Sequence, residues 1–251
     1  MIQILAALLP AMLLMAFIYW RDPNKEPLEW VAKAFGLGLV SSFIAVAIAF
    51  PFTLFVDGIQ DSSPMLKGVC KAFLCAAIPE EFAKFLMLRR IVKKNPYFDQ
   101  FMDGIVYAVA VGLGFAALEN VLYVAGAQGN EWFGIALSRG IFAVPGHYAD
   151  AVLMGYFYSL YHFNKQRYSK IKSLILIAPI LAHGIYDALL MMTGEDKPLV
   201  SFILIGTFLY FVYRLHKFCY RRILLMAQKD IDRENIKKFT SKMEGKENVL
   251  S

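Results

Sequence analysis

Seven stretches of the chain stay apolar for about 20 residues or more, the length a helix needs to cross a hydrocarbon layer roughly 30 Å thick. They cover 2–20, 31–56, 65–88, 104–125, 133–161, 173–192 and 199–218. The pattern predicts an all-α fold, a polytopic membrane helix bundle with about seven spanning helices. The first stretch has no charge and no basic segment ahead of it, and it runs into Tyr19, Trp20 and Arg21, an interfacial end. It reads as a retained anchor, not a cleaved signal.

Polar positions inside these stretches are unevenly spread. The third holds Glu80, Glu81 and Lys84, and the fourth begins at Asp103 and holds Glu119. The fifth holds Arg139, His147 and Asp150, and the sixth His183 and Asp187. The second and seventh are almost free of charge in their central parts. A charge at the centre of a spanning helix costs about 2.5–3.5 kcal/mol on insertion scales. Concentrating that cost in four consecutive helices predicts a buried polar site walled by plain ones.

Helical rise sorts these residues into three approximate depths: Lys84 with Asp103, Glu80 and Glu81 with His147 and His183, and Glu119 with Arg139 and Asp187. The first and last groups also read as ion pairs that only neutralise buried charge, and Glu80 and Lys84 can pair within one helix at i, i+4. Pro79, Pro145 and Pro179 precede Glu80, His147 and His183 and predict kinks that open the backbone there. Gly112 and Gly114 predict close helix packing.

Loop charge sets the expected orientation. Arg89, Arg90, Lys93 and Lys94 follow the third stretch, Lys165, Arg167, Lys170 and Lys172 the fifth, and Lys217, Arg221 and Arg222 the seventh, whereas the loop after the sixth carries Glu195, Asp196 and Lys197. The positive-inside rule then puts the N-terminus outside and the C-terminus in the cytoplasm. Two parts are expected, a transmembrane domain over 1–219 that holds the polar site and a basic cytoplasmic tail over 220–251. The tail reads either as solvated or as a short helix on the anionic leaflet.

Composition narrows the classes. The apolar set is 58% of 251 residues and the charged set 18%, too much apolar and too little charged material for an ordinary soluble domain. A soluble enzyme, a disordered chain and a nucleic-acid module are argued against, and the net charge of +6 belongs to loops facing the bilayer surface, so no nucleic-acid partner is expected. Cys70, Cys75 and Cys219 form no CxxC pair and read as small hydrophobes.

Two adjacent carboxylates removed from water cannot both ionise cheaply, so one can keep a proton while the other accepts one from water. His147 could hold or relay that proton, and His183, oriented by Asp187, could donate to a developing oxyanion. These parts suffice for amide hydrolysis without a Ser or Cys nucleophile. A zinc reading stays open beside it, with Glu119, His147 and His183 as ligands. A proton-coupled transporter uses similar carboxylate and imidazole chains, and a non-catalytic membrane sensor or scaffold of the same architecture is the third reading.

The run Pro79-Glu80-Glu81-Phe82-Ala83-Lys84 resembles the Glu-Glu-x-x-Lys motif of PrsW-type intramembrane proteases. The block from Phe101-Met102-Asp103-Gly104 to Leu118-Glu119-Asn120 resembles that family's second signature, and Arg139, His147 and His183-Gly184-Ile185-Tyr186-Asp187 match its later positions. The related CAAX-processing and bacteriocin-processing proteases carry Arg one place beyond Lys84. The resemblance implies an endopeptidase that cuts a membrane-anchored protein, characteristically the first cut in an anti-sigma factor. It implies that Glu80, Glu81, His147 and His183 carry hydrolysis, with Asp103, Glu119, Asn120 and Asp187 in support.

Overall fold

A computed structural model describes residues 1–59, 63–192 and 198–250; Glu195, Asp196 and Lys197, used above for orientation, lie outside the described residues. Among the described residues the chain is helical throughout, without strands. The helices are α1 (Ile2–Arg21), α2 (Leu28–Gly58), α3 (Pro64–Cys70), a π-helical turn (Lys71–Ala77), α4 (Ile78–Val92), α5 (Phe101–Ala125), α6 (Glu131–Ile141), α7 (Ala143–Phe163), the short α8 (Lys165–Tyr168) with a 3-10 turn (Ser169–Ile171), α9 (Leu174–Met192) and α10 (Pro198–Leu250).

Five helical segments are long and apolar enough to cross a membrane: Ile2–Arg21, Leu28–Gly58, Phe101–Ala125, Lys165–Met192 and Leu199–Ser241. The third and fifth sequence stretches are absent from this set, and both carry site residues. Each is helical but interrupted. In the third, a π-helical turn ends at Ala77, two residues before Pro79. Proline has no N–H to return to the carbonyl four residues back, and a wider turn there absorbs the mismatch. In the fifth, Pro145 leaves the carbonyl of Ile141 without its helical donor, and α6 ends at Ile141. The break therefore falls at Phe142, three residues ahead of the expected kink, and makes two helices of one stretch.

α5 is the central helix. It is apolar on every side, as a helix must be when it is surrounded by others, and most of it is buried between α1, α2 and α7. Small residues permit this. A Cβ on Gly114 would overlap the Phe35 carbonyl oxygen of α2, and one on Gly38 would overlap the Val111 carbonyl oxygen of α5. On the other side, a Cβ on Gly112 would come within 2.7 Å of the Ala151 Cβ, and one on Gly155 would overlap the Gly104 carbonyl.

The start of α5 is tied down by carboxylates. Asp103 Oδ2 accepts from the Asp99 and Gln100 amides at 2.8 and 2.7 Å, closing a capping box, and Asp230 of α10 accepts from the Phe101 and Met102 amides at 2.8 and 2.7 Å. The contacts to Gln100, Phe101 and Met102 serve donors that a helix start leaves unsatisfied, and the Asp99 contact fixes the residue ahead of the cap. The boundary expected at 219/220 falls inside the continuous α10, whose Ile223, Met226 and Asp230 are buried.

Asp22 and Glu26, in the segment between α1 and α2, are buried beside Asp103 and Asp230, and Tyr107 donates its hydroxyl to Glu26. Burial pushes the Asp22 carboxyl up to about 7, against the opposing Asn24 N–H bond, and burial likewise raises Glu26. A carboxyl whose folded value lies above its unfolded one stabilises fully below the unfolded value and loses that contribution as pH rises through the folded value. Asp22→Asn is therefore expected to raise the thermal midpoint at pH 8 and to change it far less at pH 5. The shift bounds the gain at about 4 kcal/mol, and thermal unfolding in detergent at the two pH values measures it.

Candidate active site

The π-helical turn, α4, α5, α6, α7 and α9 bring the predicted polar residues to one network, with Asp103 the exception. Lys84 stands at its centre. Its ammonium donates to Glu81 Oε1 at 2.7 Å, to Glu80 Oε2 at 3.4 Å and to His147 Nδ1 at 3.0 Å, and lies 4.2 Å from the centre of the Phe115 ring. It makes no contact with Asp103, contrary to the depth grouping. A helical side chain leans toward the helix N-terminus, so the Lys84 head sits at the level of Glu80 and Glu81, a turn deeper than its Cα. Asp103 serves the start of α5 instead. From there to Glu119 is sixteen residues, about 24 Å along the helix.

The other two predicted depth groups join. His147 Nε2 donates to Glu119 Oε2 at 2.9 Å, and the same oxygen lies 2.7 Å from the Arg139 guanidinium. Arg139 Nε donates to Asn120 Oδ1 at 2.7 Å, and Asn120 Nδ2 donates to the Ala7 carbonyl of α1 at 3.2 Å. On the far side, His183 Nδ1 donates to Glu81 Oε1 at 2.9 Å, and its Nε2 lies 3.3 Å from Asp187 Oδ2 and 3.9 Å from Glu80 Oε2. The two imidazoles meet edge to face at 5.3 Å. A neutral ring donates from one nitrogen only. For His147 that assigns the proton to Nε2, since Nδ1 accepts from Lys84. His183 faces carboxylates at both nitrogens, which suits a ring carrying two protons.

A cavity of about 190 Å³ opens onto this network, lined among others by Glu80, Glu119, Arg139, His147, His183 and Asp187. The two adjacent glutamates differ. Glu80 faces the cavity and is 16% exposed, whereas Glu81 is fully enclosed behind Lys84 and His183. Asp150, which the sequence placed one turn past His147 without a settled role, lies 3.8 Å from His183 Nδ1. Tyr123, under the Arg139 guanidinium at 3.9 Å, and Tyr186 also line the cavity. Tyrosines on apolar helices are common, and nothing in the sequence marked Tyr123; Tyr186 stands inside the His183–Asp187 segment, without a role read from the sequence.

Glu80, Glu81, His147 and His183 each offer a ligand atom, all within 4.8 Å of one another. Two carboxylates and two imidazoles are a donor set that zinc accepts, and Glu81 Oε2 is buried without a hydrogen-bond partner. The residues fit a metal, with the Lys84 ammonium as a resident competitor for Glu81 and His147. This set differs from the expected trio, because Glu119 is engaged by His147 Nε2 and Arg139.

Residues 26–214 match the family described as PrsW family intramembrane metalloprotease. The chain belongs to the PrsW family. Protease PrsW of Geobacillus kaustophilus is 36% identical over 189 residues, covering 74% of this chain and 78% of that protein. Protease PrsW of Clostridioides difficile is 30% identical over 195 residues (75% and 79%), and that of Bacillus subtilis 32% over 189 residues (74% and 81%). No solved structure matches the chain significantly. PrsW membership and the apolar helices make this a multi-pass membrane peptidase, an intramembrane protease acting on a membrane-anchored protein in the bilayer. The PrsW resemblance read from the Glu-Glu-x-x-Lys run and the second signature thus agrees with the family match.

Proposed function

We propose that the chain hydrolyses a peptide bond of a membrane-anchored anti-sigma factor, and that Glu80, Glu81, His147 and His183 carry the reaction. The observation that supports this most is the division of labour between the two glutamates: Glu80 is open to the cavity, and Glu81 is locked between Lys84 and His183.

Glu80 acts as the base. It takes a proton from a water in the cavity as the water oxygen attacks the scissile carbonyl carbon. His183 Nε2, which faces Asp187 Oδ2 at 3.3 Å before substrate binds, turns its N–H to the carbonyl oxygen as negative charge develops there. Glu80 then passes its proton to the amide nitrogen as the C–N bond breaks, leaving a carboxylic acid and an amine. Glu81 holds His183 through Nδ1 and neutralises Lys84. His147, held between Lys84 and Glu119 and lining the cavity, positions the lysine that holds the glutamate pair. A metal held by Glu80, Glu81, His147 and His183 would polarise the carbonyl and acidify a bound water. Seven crossings are proposed, with the N-terminus outside and residues 220–251 on the cytoplasmic side, from the loop charges.

Co-expression with a single-pass anti-sigma reporter tests the reading. Wild type is expected to cleave it, and Glu80→Gln, accumulating equally, to lose about 10²–10⁴-fold in rate. Normal cleavage by the variant overturns the assignment. Repeating the assay on purified protein with a strong chelator decides the metal question: inhibition reversed by zinc assigns a metal, and full activity assigns the carboxylate-held water.

A further inference from the structure

A second polar cavity, of about 500 Å³, lies at the C-terminal ends of α4 and α7, beside the 165–172 segment, and plays no part in the chemistry above. Arg89, Lys93, Lys165 and Lys172 line it, and no carboxylate does. Among the described residues, none of these four cations forms an ion pair. The ring contacts that Arg89 and Lys172 make, with Phe85 and Tyr161 at 5.6 Å each, leave their charge unneutralised. Four like charges around one hollow repel one another, and a bound anion would relieve the repulsion.

The walls say which anion. Tyr158 stacks on His162 with centroids 6.0 Å apart, and Phe98 meets the His162 ring edge to face at 4.9 Å. Phe85, Val92 and Ile175 supply apolar wall beside the cations. Aromatic rings next to Lys and Arg at the ends of membrane helices mark the headgroup level of a bilayer, where basic pockets between helices take anionic headgroups. A small soluble anion would have no use for the apolar wall, whereas a phospholipid offers a phosphate to the cations and a glycerol and acyl start to Phe85 and Ile175.

We propose that this cavity binds the phosphate headgroup of an anionic phospholipid. Arg89 lies eight residues beyond Glu81, about 12 Å along α4, so the lipid would sit on the helix that carries the glutamate pair without touching the site.

The test uses the full chain in neutral detergent, titrated with phosphatidylglycerol, phosphatidylcholine or inorganic phosphate, and reads retained lipid by native mass spectrometry and the shift in thermal midpoint. Phosphatidylglycerol is expected to be retained and to raise the midpoint, and phosphatidylcholine to do neither. The double variant Lys93→Gln/Lys172→Gln is expected to weaken phosphatidylglycerol retention about 30-fold, roughly fivefold for each basic group removed near an anionic headgroup. The control pair Lys67→Gln/Lys71→Gln, on the other end of the same helical run, is expected to leave it unchanged. Lys93 and Lys172 are exposed, Lys67 and Lys71 half-buried, with Lys71 paired to Asp57 at 2.9 Å, and matched midpoints in lipid-free detergent show that both variants fold. Equal retention of phosphatidylcholine, an unaffected Lys93/Lys172 variant, or the same loss from the control pair overturns the proposal. Inorganic phosphate that reproduces the stabilisation overturns the lipid as its source.

Discussion

Glu81→Gln is expected to all but abolish proteolysis and to lower the thermal midpoint, because the buried Lys84 ammonium loses its closest carboxylate. Glu81 Oε1 receives both the Lys84 ammonium and His183 Nδ1. An uncharged amide keeps the shape but no longer neutralises Lys84. The nearest remaining carboxylate is Glu80, already 3.4 Å from Lys84 Nζ, so the ammonium is drawn onto the group proposed to take the water proton. His183 also loses the anion that holds its ring. Two roles fail through one substitution, and the loss should reach at least the 10²–10⁴-fold attributed to a single general base. A rate assay on purified protein in nanodiscs, with the thermal midpoint measured alongside, checks both halves. Activity within a few-fold of wild type would remove Glu81 from the site.

The largest structural effect is expected at the α2–α5 contact. Gly114→Leu should remove folded protein from the membrane fraction altogether. A Cβ at 114 meets the backbone of Phe35, and the reciprocal Gly38 meets the backbone of Val111. Neither neighbour is a side chain that can swing away. The helices must separate, and α5 carries Glu119 and Asn120 into the network from the same face-to-face packing. Overpacking of a core costs about 1–3 kcal/mol even where side chains yield, and backbone overlap should exceed that. Gly36→Ala on α2, the other helix of the contact, is the control. Nothing lies within 4 Å of its Cβ, and alanine in a helix is expected to be neutral or slightly stabilising. Detergent-extracted yield and size-exclusion profile distinguish the two outcomes.

Much of this architecture was legible in the sequence because a bilayer imposes simple rules. Apolar runs of spanning length mark helices, and charges inside them stand out, so Glu80, Glu81, Glu119, His147 and His183 could be named before any geometry. What depth counting could not supply was direction. It placed Lys84 by its Cα, whereas the side chain reaches back a turn, and it paired Lys84 with Asp103, which instead closes the capping box of α5. It treated 133–161 as one rod, but Pro145 ends α6 at Ile141 and so sets Arg139 and His147 on separate helices. The acidic group of Asp22, Glu26 and Asp103 was hidden for another reason. Its members lie outside or at the very start of the apolar runs, where charges are expected in water, and only tertiary packing buries them.

The unity of the site can be measured directly by a double-substitution cycle on the cleavage rate, using Glu81→Gln, His183→Ala and the two together in nanodiscs. Residues acting as one unit lose nearly everything at the first substitution, and the second adds little. The double variant is expected to cleave no more slowly than the worse single variant. Losses that multiply, each change acting as if the other residue were elsewhere, would contradict a single shared centre.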